Sequence, residues 1–393
     1  MALIAFHAII ECMNAYTYND VLIEPQYSEV LSRTNVDLST QIGNTHIRLP
    51  VISSNMKTIT GPKMASTIGA MGGLGLLHRF CTIEENVQMF LDAKAGLFKP
   101  GMIHTPLSAD ELLKKWSPVL NASKNDDPST AILLESEEKW IIDPLGVSIG
   151  VKEEDKERFE KLYEAGARIF CIDVAHGHHI HVKKMLHWIN NEITLWDRSH
   201  RGHITIIAGN IATADAYRDL QDWGADAVKV GIGPSPVCRT RYNTGVGVPQ
   251  LYALENIYKE STRHANPISI IADGGITHVG DIAKALKYAD AVMIGSMIAG
   301  TSETPGNVYR NEDGDFYKVY GGSASGENKG QNRFIEGVIK PVKFKGKVKY
   351  ILREIEQGLQ SALSYVGADN LAKYQQKCKF VHISGGAQGE SKI

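Results

Sequence analysis

The chain of 393 residues lacks an excess of charge of either sign. Lys and Arg together number 42 and Asp and Glu together number 44, which gives a formal net charge of -2. A near-neutral chain supplies no electrostatic footprint for nucleic acid or for an anionic membrane surface. We therefore expect neither nucleic acid nor a membrane among the partners of this protein.

Cysteine is also scarce, and its pattern excludes two kinds of site. The five cysteines are odd in number and show no CxxC or Cys/His ligand spacing; they are Cys12, Cys81, Cys171, Cys238 and Cys378. Neither a disulfide framework nor a zinc site is indicated, and the predicted compartment is a reducing one.

Long hydrophobic runs are missing as well. No uninterrupted apolar stretch reaches the ~18 residues that a membrane span requires. The opening MALIAFHAII has neither a basic n-region nor a small-residue cleavage site. We expect a soluble cytoplasmic protein, and the content of 43% hydrophobic and 22% charged residues is typical of a chain with a sizeable packed core.

What the sequence does contain is a ladder of short apolar, β-branched segments that end in Gly, Asp, Ser or Asn. The eight segments are LPVISSN from Leu49, LGLLHR from Leu74, VSIGV from Val147, IFCIDV from Ile169, ITIIAGN from Ile204, AVKVGI from Ala227, SIIADGG from Ser269 and AVMIGS from Ala291. Runs that are apolar on both faces suit parallel strands covered by helices, and eight β/α units close a TIM barrel. The predicted fold class is α/β, a (β/α)8 barrel formed by residues 1–393 as a single domain.

Helical periodicity follows these segments, and two long gaps interrupt the rhythm. Helices are predicted in KEEDKERFEKLYEAG from Lys152, ADAYRDLQDWG from Ala214 and KVKYILREIEQGLQSAL from Lys347. The gap after the second strand holds an insertion, residues 97–144, without a catalytic signature. We expect a structural or oligomerisation role for it, with a lid over the site as the alternative.

The other gap opens with GIGPSPVCRTRYNTGVGVPQ, residues 231–250, directly after the sixth strand. Active sites of TIM barrels lie on this carboxyl face. Cys238 at its centre is a plausible nucleophile, because the Gly/Pro-shaped backbone can expose the thiol and because Arg239 and Arg241 would favour the thiolate. The alternative is a buried cysteine that packs as a small hydrophobe. The fragment alone leaves both interpretations open.

Two glycine turns after the last two strands favour the first interpretation. Asp273-Gly274-Gly275 follows strand seven, and Gly295-Ser296 follows strand eight. These are the usual phosphate-binding loops of the barrel, where backbone N–H groups converge on an anion. Asp273 is suited to accept hydrogen bonds from a ribose diol. Either turn alone could be no more than a βα corner, but together they predict a phosphorylated nucleoside bound beside a cysteine.

A series of short motifs extends this pattern over most of the chain. In order, they are YNDVLIEP, GLGLLHR, IDVAHGH, AGN, the cysteine loop ending in TGVGVPQ, ADGG, MIGSM, EG before a KG pair, and SALSYVGADNL. In these motifs the chain resembles the IMP dehydrogenase/GMP reductase family, and the resemblance covers nearly everything from Tyr16 to Ser391 except residues 97–144. It implies a TIM-barrel oxidoreductase that acts on a purine nucleotide.

The resemblance also implies a covalent mechanism. Cys238 would attack C2 of the purine ring, where the ring nitrogens can take up charge, with Thr240 as its partner in the loop. In the family's dehydrogenases, C2 of IMP gives a hydride to NAD and water then releases XMP. In its reductases, C2 of GMP loses ammonia and accepts a hydride from NADPH, which gives IMP.

Several features resemble the reductase branch more than the dehydrogenase branch. The insertion is too short for the paired CBS modules that are usual in dehydrogenases. The segment from Tyr320 to Glu336 lacks the Arg-Tyr pair that activates water in dehydrogenases, since Arg333 is followed by Phe334. Reductases use instead a Thr-Glu pair, here Thr240 and Glu336, to relay the proton that makes the amine a leaving group. The resemblance therefore implies NADPH-dependent reduction of GMP to IMP and ammonia.

By the same resemblance, the remaining site residues fall into three groups. Substrate contacts are expected at Met56, Asp273, Gly274, Gly275, Gly295, Ser296, Gly321, Gly322, Arg333 and Gly337, with residues 321–337 forming a short active-site flap. NADPH contacts are expected at Asp173, Arg79 and Ala175. Carbonyl groups of Gly233, Ser235 and Cys238 are expected to hold a potassium ion, and the family suggests a homotetramer.

Two alternatives remain open. One is an IMP dehydrogenase without CBS modules, because the closing SGGAQGES is closer to that branch. The other is a noncatalytic purine-nucleotide-binding barrel, motivated by departures from the family pattern. Pro236 stands where a phosphate-contacting Ser is expected, Lys57 replaces the Asp of a Met-Asp-Thr motif, and Val338 replaces a Lys.

Overall fold

The structure, a computed structural model, describes residues 15–97, 143–196, 204–322 and 338–390. The strands in chain order are β1 (Val21–Ile23), β2 (Thr40–Ile42), β3 (Thr45–Ile47), β4 (Val51–Ser53), β5 (Gly75–Leu77), β6 (Leu145–Ile149), β7 (Ile169–Asp173), β8 (Thr205–Ile211), β9 (Ala227–Val230), β10 (Ser269–Asp273), β11 (Ala291–Ile294), β12 (Tyr309–Arg310), β13 (Phe316–Gly321), β14 (Ile339–Lys343) and β15 (Phe380–His382). The α-helices are α1 (Pro62–Ala70), α2 (Ile83–Leu97), α3 (Glu154–Glu164), α4 (Ile180–Trp196), α5 (Ala214–Asp222), α6 (Thr240–Thr244), α7 (Gln250–Ser261), α8 (Val279–Ala285), α9 (Val348–Tyr365), α10 (Leu371–Lys377) and α11 (Gly385–Glu390).

Strands β4 to β11 form one parallel sheet that closes into a barrel. Their order around the sheet is β4-β11-β10-β9-β8-β7-β6-β5, and a parallel bridge between Ile52 and Leu74 joins the two end strands. The Leu74 N–H donates to the Val51 carbonyl at 2.9 Å, and the Ser53 N–H donates to the Leu74 carbonyl at 3.0 Å. The predicted segments are these strands, so the TIM barrel is confirmed. The helices predicted from Lys152, Ala214 and Lys347 are confirmed as α3, α5 and α9.

The alternation of side chains along the strands determines what reaches the carboxyl end of the barrel. Ile169 and Cys171 of β7 and Ala227 of β9 belong to the apolar cluster inside the barrel. Successive side chains of a strand point to opposite faces. The next inward positions on these two strands are therefore Asp173 and Lys229, which places two charged residues at the carboxyl edge above an apolar interior.

The amino end of the barrel is closed by the hairpin of β2 and β3. Ile42 and Ile47 of this hairpin are buried in the same interior cluster. The side-chain amide of Asn44 at its tip donates to the Ile204 carbonyl at 2.8 Å, and the hydroxyl groups of Thr45 and Thr205 share a hydrogen bond of 3.0 Å. The buried isoleucine side chains and the hydrogen bonds at the tip together hold the hairpin against the amino end of the barrel.

Three further segments surround the barrel. Strands β12, β13 and β14 form an antiparallel sheet after β11, and β1 pairs with β15 in antiparallel fashion. The predicted insertion, residues 97–144, and the predicted flap, residues 321–337, lie mostly outside the described residues, so both remain predictions. Among the helices of the described ranges, none is long and apolar enough to cross a membrane.

Candidate active site

A cavity of about 360 Å³ lies at the carboxyl ends of the barrel strands. Most of the predicted site residues line it: Met56, Arg79, Asp173, Ala175, Gly233, Ser235, Cys238, Thr240, Asp273, Gly274, Gly275, Gly295, Ser296 and Gly322. Gly321 is the last residue of β13, and its N–H donates a hydrogen bond to the Thr58 hydroxyl at 3.0 Å. Arg333, Glu336 and Gly337 lie outside the described residues. The parallel topology explains the convergence, because all eight carboxyl ends meet at one edge.

The cysteine loop brings the predicted nucleophile and its partner into contact. Cys238 is half-buried, and its N–H donates to the Ser235 carbonyl at 3.0 Å. Its Sγ shares a hydrogen bond of 3.1 Å with Oγ1 of Thr240, the first residue of α6. The thiol is thus reachable from the cavity and is held beside a hydroxyl that can exchange a proton with it.

Arg241 shapes this loop in addition to bringing a positive charge to it. Its Nε donates to the Ile232 carbonyl at 3.3 Å, and a second guanidinium nitrogen donates to the Val248 carbonyl. These two carbonyls lie at opposite ends of the loop, so one side chain ties the ends together. Burial lowers the pKa of Arg241 from its ordinary value, and the charge of Cys238 opposes that shift, which indicates that the two side chains are electrostatically coupled.

The glycine turns form one side of the cavity. Gly274 and Gly275 have φ angles of +96° and +76°, which are favourable only for glycine. A Cβ atom at Gly274 would lie 2.8 Å from the Pro234 side chain, so this turn packs directly against the cysteine loop. The Ser296 hydroxyl donates to the Ile276 carbonyl at 3.1 Å and thereby links the turns that follow β10 and β11.

Two residues that the sequence analysis did not single out support these turns. Tyr320 is buried and lines the cavity, and burial raises its pKa to about 12. Its phenol therefore stays a neutral hydrogen-bonding group. Lys345 donates to the carbonyls of Ser296 at 2.9 Å and Met297 at 3.0 Å, and so fixes the orientation of the peptide groups in the turn after β11.

A row of polar side chains from four adjacent strands forms the other side of the cavity. Lys229 of β9 lies with its Nζ 2.9 Å from Asp173 Oδ1 of β7 and 2.9 Å from Asp273 Oδ2 of β10. It also donates a short hydrogen bond to Asn210 Oδ1 of β8. The Asn210 amide in turn donates to Asp273 Oδ2 at 2.8 Å and to the Gly231 carbonyl at 2.7 Å. We call Asp173, Asn210, Lys229 and Asp273 the charged row.

Charges in this row are maintained by pairing, because the groups are largely removed from solvent. The side chain of Lys229 is 3% exposed and that of Asp173 is 14% exposed. Burial alone would raise the pKa of Asp173, but Lys229, together with Arg79, holds it below its usual range. Burial would likewise lower the pKa of Lys229, yet Asp173 and Asp273 raise it above its ordinary value. Asp173 and Lys229 are therefore both ionised near neutral pH.

Sequence reasoning missed Lys229 and Asn210, although one signal was present. AVKVGI carries a lysine inside an otherwise apolar strand, two positions after Ala227 and so on the same face. A lysine that points into a barrel must find carboxylates there, since an unpaired buried charge is strongly unfavourable. Asp173 and Asp273, which end their own strands, were the available partners.

The loop after β5 borders the charged row and is supported from outside the barrel. Arg79 donates to the backbone carbonyl of Asp173 at 3.2 Å, and its guanidinium lies 5.3 Å from the centre of the Phe80 ring. Arg158 of α3 holds the same loop by donating to the Cys81 carbonyl at 2.9 Å and to Asn86 Oδ1 at 2.9 Å. Arg79 is thus fixed beside Asp173.

A second, basic cavity of about 360 Å³ is lined by the loop after β6 and by helices α3 and α4. Three lysines and a histidine face a single glutamate there: its lining is Val151, Lys152, Glu153, Lys156, His181, Lys184 and Met185. A Cβ atom at Gly150, the residue before Val151, would lie 3.2 Å from the Arg79 guanidinium. The backbone that leads into the basic cavity therefore passes close to Arg79, which lines the site cavity.

Comparisons with known proteins agree with this arrangement. A family model described as the IMP dehydrogenase / GMP reductase domain matches residues 15–393. GMP reductase from Leishmania donovani is 33% identical over 95% of this chain and 96% of its own length. Inosine-5'-monophosphate dehydrogenase from Cryptosporidium parvum is 34% identical over 96% of this chain and 94% of its own length.

A solved structure extends the similarity to the whole fold. A crystal structure of GMP reductase from Trypanosoma brucei in complex with guanosine 5'-monophosphate has a TM-score of 0.79 and 28% sequence identity to this chain, and the match covers 99% of both chains. The family model and the curated relatives each span nearly all of this sequence. The chain belongs to the IMP dehydrogenase/GMP reductase family of oxidoreductases.

Proposed function

We propose that this protein is a GMP reductase, which converts GMP to IMP and ammonia with NADPH. The observation that carries the proposal is the contact of 3.1 Å between Cys238 Sγ and Thr240 Oγ1, in a cavity lined by two glycine turns and by the charged row. A nucleophile, a proton-exchanging hydroxyl and an anion-binding side are the groups that this reaction requires.

At Cys238, the proposed chemistry proceeds by addition and elimination at C2 of the purine. The thiolate forms a C–S bond to C2, and the exocyclic amine accepts a proton and leaves as ammonia, which breaks the C–N bond. NADPH held beside Asp173, Arg79 and Ala175 would supply the hydride that C2 accepts. The C–S bond breaks with its electron pair returning to sulfur, so that IMP and the thiolate are released. Thr240 is the hydroxyl next to the sulfur through which the proton passes.

The glycine turns and the charged row support the proposed binding mode of the nucleotide. Backbone N–H groups near Gly275, Gly295 and Ser296 can surround a phosphate, and Asp273 can accept hydrogen bonds from the ribose hydroxyls. We assign Met56, Gly274, Gly321 and Gly322 to the same substrate site. Arg333 and Gly337 belong to it by family resemblance.

Glu336 is the proposed acid that acts through Thr240, and one described contact supports this role. Val338, two residues after Glu336, donates its N–H to the Val237 carbonyl at 3.1 Å. Val237 directly precedes Cys238. A backbone hydrogen bond two residues after Glu336 therefore joins this part of the chain to the cysteine loop.

The cofactor site is proposed at the loop after β5 and the end of β7. Asp173, Arg79 and Ala175 line the site cavity there. The basic cavity offers Lys152, Lys156 and Lys184, which suits the phosphate groups of a dinucleotide and favours a cofactor with an additional phosphate, NADPH, over NADH.

Three further parts of the proposal derive from the family resemblance. The Gly233, Ser235 and Cys238 carbonyls would hold potassium, a cation that suits oxygen ligands. The Ser235 carbonyl accepts the Cys238 N–H at 3.0 Å, and its second lone pair can still coordinate a cation. A homotetramer and a cytoplasmic location complete the proposal.

The principal alternative is an IMP dehydrogenase without CBS modules, which oxidises IMP to XMP with NAD. It is supported by the Cryptosporidium parvum enzyme, a dehydrogenase that this chain covers over 94% of its length, so chain length does not separate the branches. A noncatalytic nucleotide-binding barrel is the second alternative. It is motivated by Pro236, which lines the cavity without an N–H group, and by Lys57 and Val338.

An assay with both substrate pairs tests the proposal. We expect loss of NADPH absorbance with GMP, a lower KM for NADPH than for NADH, and no appearance of NADH when the protein is given IMP and NAD. Production of XMP with NAD, without turnover of GMP, would establish the dehydrogenase. Thermal stabilisation by the nucleotides without turnover of either pair would support the noncatalytic barrel.

Glu336→Gln tests the acid that distinguishes the reductase. Glutamine keeps the size and the hydrogen bonds of glutamate but cannot release a proton, so deamination should slow by about 10²–10⁴-fold. GMP binding, measured calorimetrically, should change little. Glu354→Gln, at an exposed position on α9, is the matched control and should retain full turnover. Near-normal ammonia release by Glu336→Gln would remove Glu336 from the mechanism.

A further inference from the structure

The Asp173 end of the charged row lies across the barrel mouth from the proposed phosphate turn at Gly295. Strand β11 precedes Gly295, and the strands that follow it around the closed barrel are β4, β5, β6 and β7. Strand β7, which ends at Asp173, is therefore four strands from β11 in a barrel of eight. A nucleotide with its phosphate at Gly295 and its base at Cys238 therefore leaves the Asp173 side of the cavity for the group that delivers hydride to C2.

Formal charges on this side of the cavity cancel because of Lys229. Asp173 and Asp273 contribute two negative charges, and Lys229 and Arg79 contribute two positive charges. Two neighbouring titratable groups do not alter the sum near pH 8. Burial raises the pKa of the Cys171 thiol and lowers the pKa of His78 to about 4, so both are neutral.

The two forms of a nicotinamide cofactor differ in the charge of one ring. The ring is neutral in the reduced form and carries a positive charge in the oxidised form, while the rest of the molecule is the same. A single uncompensated carboxylate beside the ring would therefore bind the oxidised form more tightly, and a single uncompensated cation would disfavour it.

We propose that Lys229 is the specificity-determining residue for the redox state of the cofactor: by neutralising Asp173 and Asp273, it prevents the site from retaining the cationic ring. This inference rests on the proposed function, in which the reduced cofactor is the substrate and the oxidised cofactor is the product. Without Lys229, the carboxylate at Asp173 would hold the product and slow its release. Lys229 itself is 3% exposed and bonds to the carboxylates, so it acts through them as a positioning and charge-balancing residue.

The test is the ratio of two dissociation constants, Kd for NADP⁺ divided by Kd for NADPH. Both are measured by isothermal titration calorimetry at pH 8 with IMP bound, in proteins that also carry Cys238→Ala, so that no C–S bond forms and no hydride passes from IMP to NADP⁺. The contacts that both forms share cancel in the ratio, and the charge of the ring remains. Lys229→Met leaves one excess negative charge, and we expect the ratio to fall about ten-fold.

Two further variants make the test independent of any single substitution. Asp173→Asn leaves one excess positive charge and should raise the ratio, again by about ten-fold. If Lys229→Met does not fold, Asp173→Asn alone still tests the inference, because it changes the charge, and therefore the ratio, in the opposite direction. Lys229→Arg conserves the charge and should leave the ratio within about two-fold of the wild type.

Failure of the inference and failure of the proposed function give different results. Absence of GMP turnover in the wild-type protein would refute the reductase. Wild-type GMP turnover together with an unchanged ratio in Asp173→Asn, or in folded Lys229→Met, would refute the role of Lys229. A ratio that falls in Lys229→Met, rises in Asp173→Asn and is conserved in Lys229→Arg supports it.

Discussion

The two ends of the barrel shift the pKa of a poorly solvated aspartate in opposite directions. At the carboxyl end, Asp173 contacts Lys229 at 2.9 Å, and its pKa is held below the usual range. At the amino end, Asp290 precedes β11 and accepts a hydrogen bond from the Ile270 N–H at 2.7 Å, and burial raises its pKa to about 6. At the carboxyl end, the ion pair with Lys229 therefore stabilises the ionised form of Asp173. At the amino end, burial destabilises the ionised form of Asp290.

This difference indicates that the charged groups at the carboxyl end serve function, whereas Asp290 at the amino end serves the structure. A paired, buried lysine is an arrangement that packed hydrophobic residues could often replace without loss of stability, so we infer that its presence at the carboxyl end has a functional reason. Asp290 bonds to the backbone of a neighbouring strand, which is a structural role. We therefore expect substitutions at the carboxyl end to alter activity more than stability, and those at the amino end to do the opposite.

Cys238→Ala should have the largest effect and should sharpen this comparison. Removal of the nucleophile eliminates the covalent route, so turnover of GMP should fall by at least about 10³-fold. The free energy of unfolding should change by less than about 1 kcal/mol, because the side chain is half-buried in a loop. Steady-state kinetics and denaturant unfolding provide the two measurements.

A matched cysteine elsewhere shows whether the loss is specific. Cys378 is buried after α10, and Cys378→Ala should lower stability modestly while turnover is retained. Trapping with an electrophilic purine nucleotide such as 6-chloropurine ribotide should modify Cys238 alone. Modification of another cysteine with Cys238 left free would show that the nucleophile has been misassigned.

The fold and half of the site could be predicted from the sequence for one physical reason. Parallel barrel strands are buried on both faces and end at a common edge, so apolar runs that end in Gly or Asp predict both the strands and the position of the loops that follow them. Cys238, Gly275 and Ser296 are predictable from such loops, since their places follow from the topology.

The charged row could not be predicted in the same way. The lysine in AVKVGI has a definite face, but its partners Asp173 and Asp273 are distant in sequence, and their contact with it depends on strand order and register. The packing of Lys345 against the turn at Ser296 is a tertiary contact of the same kind. Glu336 and Arg333 lie outside the described residues and stay predictions.

Gly231→Ala is where the comparison should break down, because this carboxyl-end residue serves packing. Gly231 has a φ of +149°, and a Cβ atom there would collide with the Asp273 carbonyl oxygen. Strain and overpacking together should lower the free energy of unfolding by about 3–5 kcal/mol. Gly245, with φ of +72° and no atom within 4 Å of an added Cβ, is the control, and Gly245→Ala should lose only about 1 kcal/mol. Equal losses in urea unfolding would show that strand packing at Gly231 is less tight than we infer.

Asp290→Asn should have the smallest effect, and its sign depends on pH. Burial raises the pKa of Asp290 to about 6 in the folded protein, above the ordinary value of an aspartate, so the unfolded chain releases the proton first and stability falls as pH rises through this window. Asparagine has no such proton, and its side-chain oxygen can still accept the Ile270 N–H. The stability of Asp290→Asn relative to wild type should therefore increase between pH 4.5 and pH 7.5 by up to about 2 kcal/mol, measured by denaturant unfolding at both values, with GMP turnover unchanged. Asp173→Asn should instead lose stability equally at both pH values, because the pKa of Asp173 is held below its usual range and Lys229 stabilises the ionised form throughout this window. If the stability of Asp173→Asn relative to wild type also rose between pH 4.5 and pH 7.5, the two ends of the barrel would not differ in the way the contacts of Asp173 and Asp290 indicate.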